Sequence, residues 1–312
     1  MRALVLGGGG SKGAFTVGAI QTLRDAGIQW DLVTGCSTGA LIAPFVALDH
    51  IDALVSLYST VRNADIYTPR QAIELVVHRS LYDSAPLWRL INAHMTPDVY
   101  QDLMQGPLAT YLLTTHMQSG QPVYWTSHPL VRPLAGRDVR YAADHLTFTR
   151  AMLASASQPI LFPLIEIADD HQQYCDGGVV EVVPLKLPLD LGADILDVIV
   201  LTPERAGPEP HVYTTFLDTM IRTLEVLIES ATVADIAHAQ FINEAVRAWR
   251  TTGTVPDGGR LAGKRVVQLN LIRPHTSLTT NALRFDPSEM QGMMALGRIA
   301  GAISVAQQDA TP

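Results

Sequence analysis

Four consecutive glycines, Gly7 to Gly10, stop the opening apolar segment Ala3-Leu4-Val5-Leu6 and are followed at once by a helical pattern from Lys12 to Ala26. A bare backbone of this kind holds neither a strand nor a helix, so the chain must turn there from one to the other. The fold therefore starts as strand, Gly-rich loop, helix. Similar alternation continues downstream. Strands are predicted at Asp31 to Thr34, Tyr111 to His116, Val123 to Thr126, Ile195 to Leu201 and Arg265 to Leu271. Helices are predicted at Thr38 to Leu48, Ile51 to Asn63, Tyr213 to about Trp249 and Pro287 to Ala306, the last opened by Asp286 as N-cap with Pro287 at its first position. This is the rhythm of an α/β fold with a mostly parallel sheet under helices. Pro203 to Pro210 and Gly253 to Gly263 read as loops inside one domain spanning residues 1–312, because the patterning continues on both sides.

Composition narrows the function classes. With 47% of 312 residues hydrophobic and 17% charged, the chain can bury a large core and is not disordered. Lys and Arg number 22 against 30 Asp and Glu, a net charge of −8 that offers no footprint for a phosphate backbone. Nucleic acid is thus not an expected partner. Bulk attraction to an anionic bilayer is excluded too, which leaves transient contact with a membrane surface to a local apolar patch. Two cysteines cannot build a disulfide framework or a four-thiolate zinc site, and fit a reducing compartment. No run approaches the roughly 18 apolar residues of a membrane span, and Gly7 to Gly10 cut the opening run short of a signal-peptide core. The expectation is a cytoplasmic protein.

Three short motifs carry chemistry. Gly35-Cys36-Ser37-Thr38-Gly39 lies between a predicted strand and a predicted helix, the setting in which G-x-S-x-G lifts a serine hydroxyl clear of the backbone. In Gly7 to Gly13, loop amides and a helix N-terminus can face an anion. Two ligands fit that loop. Gly8, Gly10 and Gly13 match the dinucleotide pattern G-x-G-x-x-G; alternatively the loop is an oxyanion hole. The first option wants an acidic residue at the end of the second strand, where the serine elbow stands instead, and Lys12 lacks the neighbours of a Walker A loop. Finally, Asp176-Gly177-Gly178 follows the short strand candidate Gln173-Tyr174-Cys175.

These blocks, taken in order with Ala154-Ser155-Ala156-Ser157-Gln158-Pro159 and Phe162-Pro163, resemble the patatin-like phospholipase family over roughly residues 1–200, with residues 201–312 completing the sheet and helices. The resemblance implies a three-layer α/β/α fold with a mostly parallel central sheet and a Ser–Asp dyad without histidine. Ser37 would be the nucleophile and Asp176 the general base. Gly8, Gly9, Gly10, Ser11, Lys12 and Gly13 would form the oxyanion loop, with Gly35, Gly39, Gly177 and Gly178 as supports. Lys12 stands where many members carry Arg. The implied activity is cleavage of lipid carboxylic esters, phospholipase A or lysophospholipase type, with no metal and no cofactor. A soluble carboxylesterase or thioesterase with the same dyad is the same-class alternative; a nucleotide-binding oxidoreductase or a catalytically dead lipid-binding module are alternatives from other classes.

Four further expectations follow from the residues. Ser37, Asp176 and His275 stand in the chain order of an α/β-hydrolase triad, yet only one strand–helix unit precedes the elbow, so His275 reads as a surface loop residue. Cys36 and Cys175 read as small buried side chains, with Cys36 pointing away from the site. The stripe Leu217, Met220, Ile221, Leu224, Leu227, Ile228 and Ala231 reads as core packing, with a lipid-facing surface as the alternative. Ile73 to Met95, with Trp88, Leu90 and Ile91, reads as a cap near the substrate entrance.

Overall fold

The computed structural model describes residues 1–71, 79–130, 133–168, 171–205, 207–208, 211–252 and 264–310, with only the backbone of 250–252. Chain order is β1 (Arg2–Leu6), α1 (Gly13–Asp25), β2 (Leu32–Cys36), α2 (Thr38–Ala47), α3 (Ile51–Tyr58), α4 (Asn63–Ile66), β3 (Thr68–Pro69), β4 (Tyr82–Asp83), α5 (Ala85–His94), α6 (Pro97–Gln105), β5 (Ala109–His116), β6 (Gln121–Thr126) and β7 (Asp138–Tyr141). It continues with α7 (His145–Ser155), β8 (Ile165–Glu166), β9 (Gln173–Asp176), α8 (Lys186–Leu191), β10 (Ile195–Ile199), α9 (Phe216–Thr252), β11 (Gln268–Ile272) and α10 (Pro287–Asp309). The main sheet runs β11-β10-β1-β2-β5-β6-β7, parallel from β11 to β5, with β6 antiparallel to β5 and β9 antiparallel to β5.

Alternation along the strands builds two cores. On β1, Leu4 and Leu6 pack with α1, α2, α3 and α10, whereas Ala3 and Val5 pack with Val182, Leu187 and the α9 residues Ile236 and Ala239. Both faces of the sheet are covered, which gives the expected three layers. The parallel strands are accordingly apolar on both sides; β2 is buried throughout.

The predicted helix Ile51 to Asn63 stops at Tyr58. There Ser59 and Thr60 hydroxyls donate back to the carbonyls of Val55 and Ser56, and the chain restarts at Asn63. Helix α1 meets α10 backbone to backbone. A Cβ at Gly18 would strike the Met294 carbonyl, and one at Gly297 the Phe15 carbonyl. These glycines make that close approach sterically possible. The expected strand Arg265 to Leu271 forms only as Gln268–Ile272, and the glycine-rich loop Gly253 to Gly263 lies outside the described residues.

In the middle of β10, Asp197 is fully buried and accepts from Arg2 Nε at 2.6 Å, Arg2 Nη2 at 3.0 Å, Trp30 Nε1 at 2.7 Å and Asn270 Nδ2 at 2.7 Å. One carboxylate thereby ties β1, β10, β11 and the α1–β2 loop together. Removing it strands a half-buried guanidinium among unpaired donors, so Asp197→Ala is expected to lower unfolding free energy by about 3–5 kcal/mol, measured by urea denaturation. A loss below about 1 kcal/mol, the usual worth of an exposed pair, would show that the network is not a tie.

Candidate active site

Register brings the motifs together. Leu6 pairs with both Gly35 and Ile199, so the Gly-rich loop leaves the sheet beside the serine elbow. One edge of β5 carries β6 from Tyr111 to His116; its other edge carries β2 as far as Cys36↔Leu113 and then β9 from Thr114↔Asp176. The two strands run towards each other and end on successive positions. Ser37 and Asp176 are brought face to face by this collision.

Ser37 has φ 54° and ψ −123°, a conformation that side chains rarely adopt and that typically costs ~1–3 kcal/mol. The turn is sterically tight on both sides. A Cβ at Gly35 would overlap the Gly39 carbonyl, and one at Gly39 the Leu6 carbonyl. Support comes from the C-terminal end of α7 and the two residues after it. Ser155 Oγ accepts the Ser37 N–H at 3.0 Å while donating to the Leu113 carbonyl at 2.6 Å, and the Ser157 carbonyl accepts the Asp176 N–H at 2.9 Å. Both ends of the pair hang on one three-residue stretch, which the sequence marked as a motif without assigning these tasks.

Asp176 Oδ1 accepts from Gly178 N–H at 2.7 Å and from Cys36 Sγ at 3.7 Å. Cys36 is a small buried side chain, as expected, and does not line the cavity, but it is not turned away from the pair: its thiol reaches the Asp176 carboxylate from the core side. The reason is the alternation of β2: with Ser37 at the apex, the preceding side chain faces the end of β9. Burial pushes the Asp176 carboxyl from 3.8 to about 6, although the Ser37 hydroxyl, Gly178 N–H and Cys36 thiol all favour its charged form. Burial, then the Asp176 charge, pushes the Cys36 thiol well above its usual value, so it remains a donor.

In the Gly-rich loop most amides are already engaged. Gly8 N–H donates to the Val182 carbonyl at 3.2 Å, Ser11 N–H to Ala282 at 2.9 Å, Lys12 N–H to Gly9 at 3.2 Å, and Gly13 N–H to the Gly10 and Ser11 carbonyls. Gly9 and Gly10 N–H have no acceptor among the described residues. Of the six residues expected to form an oxyanion loop, the other four spend their amides on the loop's own shape. A dinucleotide phosphate is disfavoured on the same ground, since the Ala282 carbonyl sits over Gly10 and takes the Ser11 amide. Lys12 is buried, with Nζ 3.9 Å from Glu229 Oε1 of α9.

Ser37, Asp176, Gly9 and Gly10 open on a cavity of about 1520 Å³, counting its mouth. Its walls are mainly apolar, among them Leu41, Phe45, Leu54, Ile91 and Phe162. From the expected cap, Leu87, Leu90 and Ile91 of α5 line the wall, Met95 is buried in the core, and Ile73 to His78 lie outside the described residues. The α9 stripe meets the expectation only in part. Ile228 and Ala231 pack against the core, but none of the seven residues is fully buried; Ile221, Leu224 and Ile228 face the cavity, and the fully buried positions of α9 come later, at Ile236, Ala239 and Val246. His275 is exposed beyond β11 and is not part of the cavity wall.

A family model described as patatin-like phospholipase matches residues 4–189. The chain belongs to that family. An uncharacterized NTE family protein of Mycobacterium tuberculosis is 26% identical over 231 residues, 73% of this chain and 57% of its own length. Lysophospholipase nte1 of Aspergillus fumigatus is 27% identical over 199 residues, 62% of this chain and 11% of its own. The chain thus spans little more than half of the mycobacterial relative and a small part of the fungal one. Among solved structures, VipD from Legionella pneumophila aligns with a TM-score of 0.45 at 13% identity, covering 98% of this chain and 67% of that one. The patatin-like match contains the Gly-rich loop, the elbow, Ser155, Ser157 and Asp176, and ends before α9, β11 and α10.

Burial of Asp176 has a stability consequence in this patatin-like phospholipase domain. Its folded pKa is raised, so ionisation opposes folding: the cost is absent below pH 3.8 and complete once pH rises past about 6. Asp176→Asn is expected to stabilise the protein by about 3 kcal/mol at pH 7.5 and by little at pH 3.5, read from denaturation at both values. Equal effects at the two pH values would contradict a carboxylate held against its burial.

Proposed function

We propose that the protein is a serine acyl hydrolase that cleaves lipid carboxylic esters, of phospholipase A or lysophospholipase type, through Ser37 and Asp176. The observation that carries the reading is the meeting of β2 and β9 on one edge of β5, which sets the Ser37 hydroxyl against a buried carboxylate at the mouth of an apolar cavity. Family membership and a lysophospholipase among the relatives support the same chemistry.

Asp176 is ionised at neutral pH, because a group that titrates near 6 has lost its proton there. Its Oδ1 is held by Gly178 and Cys36, which leaves Oδ2 to take the Ser37 proton. Ser37 Oγ then attacks the ester carbonyl carbon. The carbonyl π electrons move to oxygen, and that oxyanion is received by the Gly9 and Gly10 amides with the N-terminus of α1 behind them. Collapse expels the alcohol, which leaves with the proton held by Asp176. Water, deprotonated by the same carboxylate, cleaves the acyl-enzyme and restores Ser37. Every step uses a group of this chain or the substrate. The apolar cavity suits an acyl chain, and a lipid partner follows from that lining.

Ser37→Ala is expected to abolish labelling by a fluorophosphonate probe and turnover of a p-nitrophenyl ester. Asp176→Asn should fall nearly as far, while His275→Ala should stay within about twofold of wild type. The wild-type kcat/KM profile should lose activity as pH drops through about 6, the point at which Asp176 gains its proton. Label on a residue other than Ser37, or a His275→Ala enzyme as inactive as Ser37→Ala, would overturn the dyad.

A further inference from the structure

Helix α9 shows apolar residues to solvent as well as to the cavity. Phe216 is 84% exposed, Leu227 60% and Phe241 61%, with Val226 and Val233 also exposed. At 3.6 residues per turn these positions, with Thr219, Thr223 and Ser230, fall on one outward face, opposite Ile221 and Ile228. From His211 to Phe241, all of them described residues, no exposed side chain is Asp, Glu, Lys or Arg. A long solvent-facing helix is normally charged or strongly polar there.

The two flanks of the helix differ. One carries Asp218, Arg222, Glu225 and Glu229, spaced by four, three and four, with Arg222 paired to both glutamates and Glu229 reaching Lys12. All four are partly buried rather than exposed. Opposite them, Met220, Leu224, Leu227 and Ala231 have the same spacing and no charge. The apolar surface is therefore continuous around that edge, from the outward face through Leu227 and Leu224 to the cavity beside Ser37.

We propose that the outward face of α9 is the docking surface for a neutral, zwitterionic lipid surface, and that acyl chains reach the cavity over the Leu227–Leu224 edge. The occupant follows from three observations. The face is uncharged from Phe216 to Phe241, which suits no oppositely charged partner; the net charge of −8 opposes anionic surfaces; and the continuous apolar edge leads to a cavity fit for an acyl chain, which a second copy of the chain would have no use for. The Thr219 and Thr223 hydroxyls donate to the helix's own carbonyls, Thr215 at 3.0 Å and Thr219 at 2.7 Å, so this face can enter the headgroup region without stranding those donors. Glu244, exposed on the same side one turn after Phe241, marks where the docked stretch ends. The proposal rests on the lipid-ester reading above, yet docking itself requires no catalysis.

Flotation with phosphatidylcholine vesicles tests it. Ser37→Ala protein, which leaves the vesicles intact, is expected to float with them. Adding Phe216→Glu and Phe241→Glu should reduce the bound fraction by about tenfold or more, because two large apolar side chains become charged. In the otherwise wild-type enzyme the same pair should depress hydrolysis of vesicle lipid similarly and leave turnover of a short-chain ester, assayed below its aggregation concentration, unchanged. Failure of Ser37→Ala to float, or equal flotation with the glutamate pair, overturns docking. So does a dimer in light scattering that the glutamate pair splits while vesicles bind neither form. If no ester is turned over but flotation still depends on Phe216 and Phe241, the hydrolase reading falls and docking stands.

Discussion

Everything at the site depends on one edge of β5 being shared between two strands that approach head-on. A parallel neighbour alone would carry the chain past the sheet's end and leave the serine without a partner. Here β2 stops at the position paired with Leu113, and β9 arrives from the opposite direction at Thr114. Backbone hydrogen bonds set the separation of the two side chains, so it does not depend on the entropy of a flexible loop. The long excursion between the strands, through α5, α6 and α7, returns the chain antiparallel and delivers Ser155 and Ser157 to brace both tips.

The site holds two unfavourable features close together. Ser37 sits in a sparsely populated backbone region, and Asp176 keeps a carboxylate where burial resists its charge. Neither persists unless the surroundings fix it. The sheet supplies that rigidity: Asp197 and its donors tie β1, β10 and β11 together from mid-strand, apolar side chains fill both faces around them, and the strain lies at the C-terminal ends of β1 and β2.

Much of this was legible in the residues. Glycine runs and the serine elbow read clearly because only particular backbones tolerate them: Gly35 and Gly39 have no room for a Cβ. Strand and helix alternation located β1, β2, β5, β6 and β10 to within a few residues. What escaped depended on long-range packing. The direction of Cys36 is set by where β9 ends, 140 positions away. The α9 stripe has core periodicity, yet periodicity records only that a face is apolar, not whether it meets a core, a cavity or solvent. The engagement of the Gly8 and Ser11 amides was equally hidden, because their acceptors, Val182 and Ala282, lie far along the chain.

Ala282 also links the part of the chain matched to the family with the part beyond it. Its carbonyl accepts the Ser11 N–H at 2.9 Å, and its own N–H donates to Glu225 Oε1 of α9 at 3.3 Å, while Lys12 reaches Glu229 one turn further on. The loop bearing the free Gly9 and Gly10 amides is thus held from outside by the helix that also walls the cavity. Two modest hydrogen bonds and one long ion pair transmit the position of α9 to the Gly-rich loop, each worth on the order of 1 kcal/mol. A helix that moved by more than those bonds can stretch would release the loop. The chemistry encoded in the first 189 residues therefore depends, in its geometry, on residues that the family match does not include.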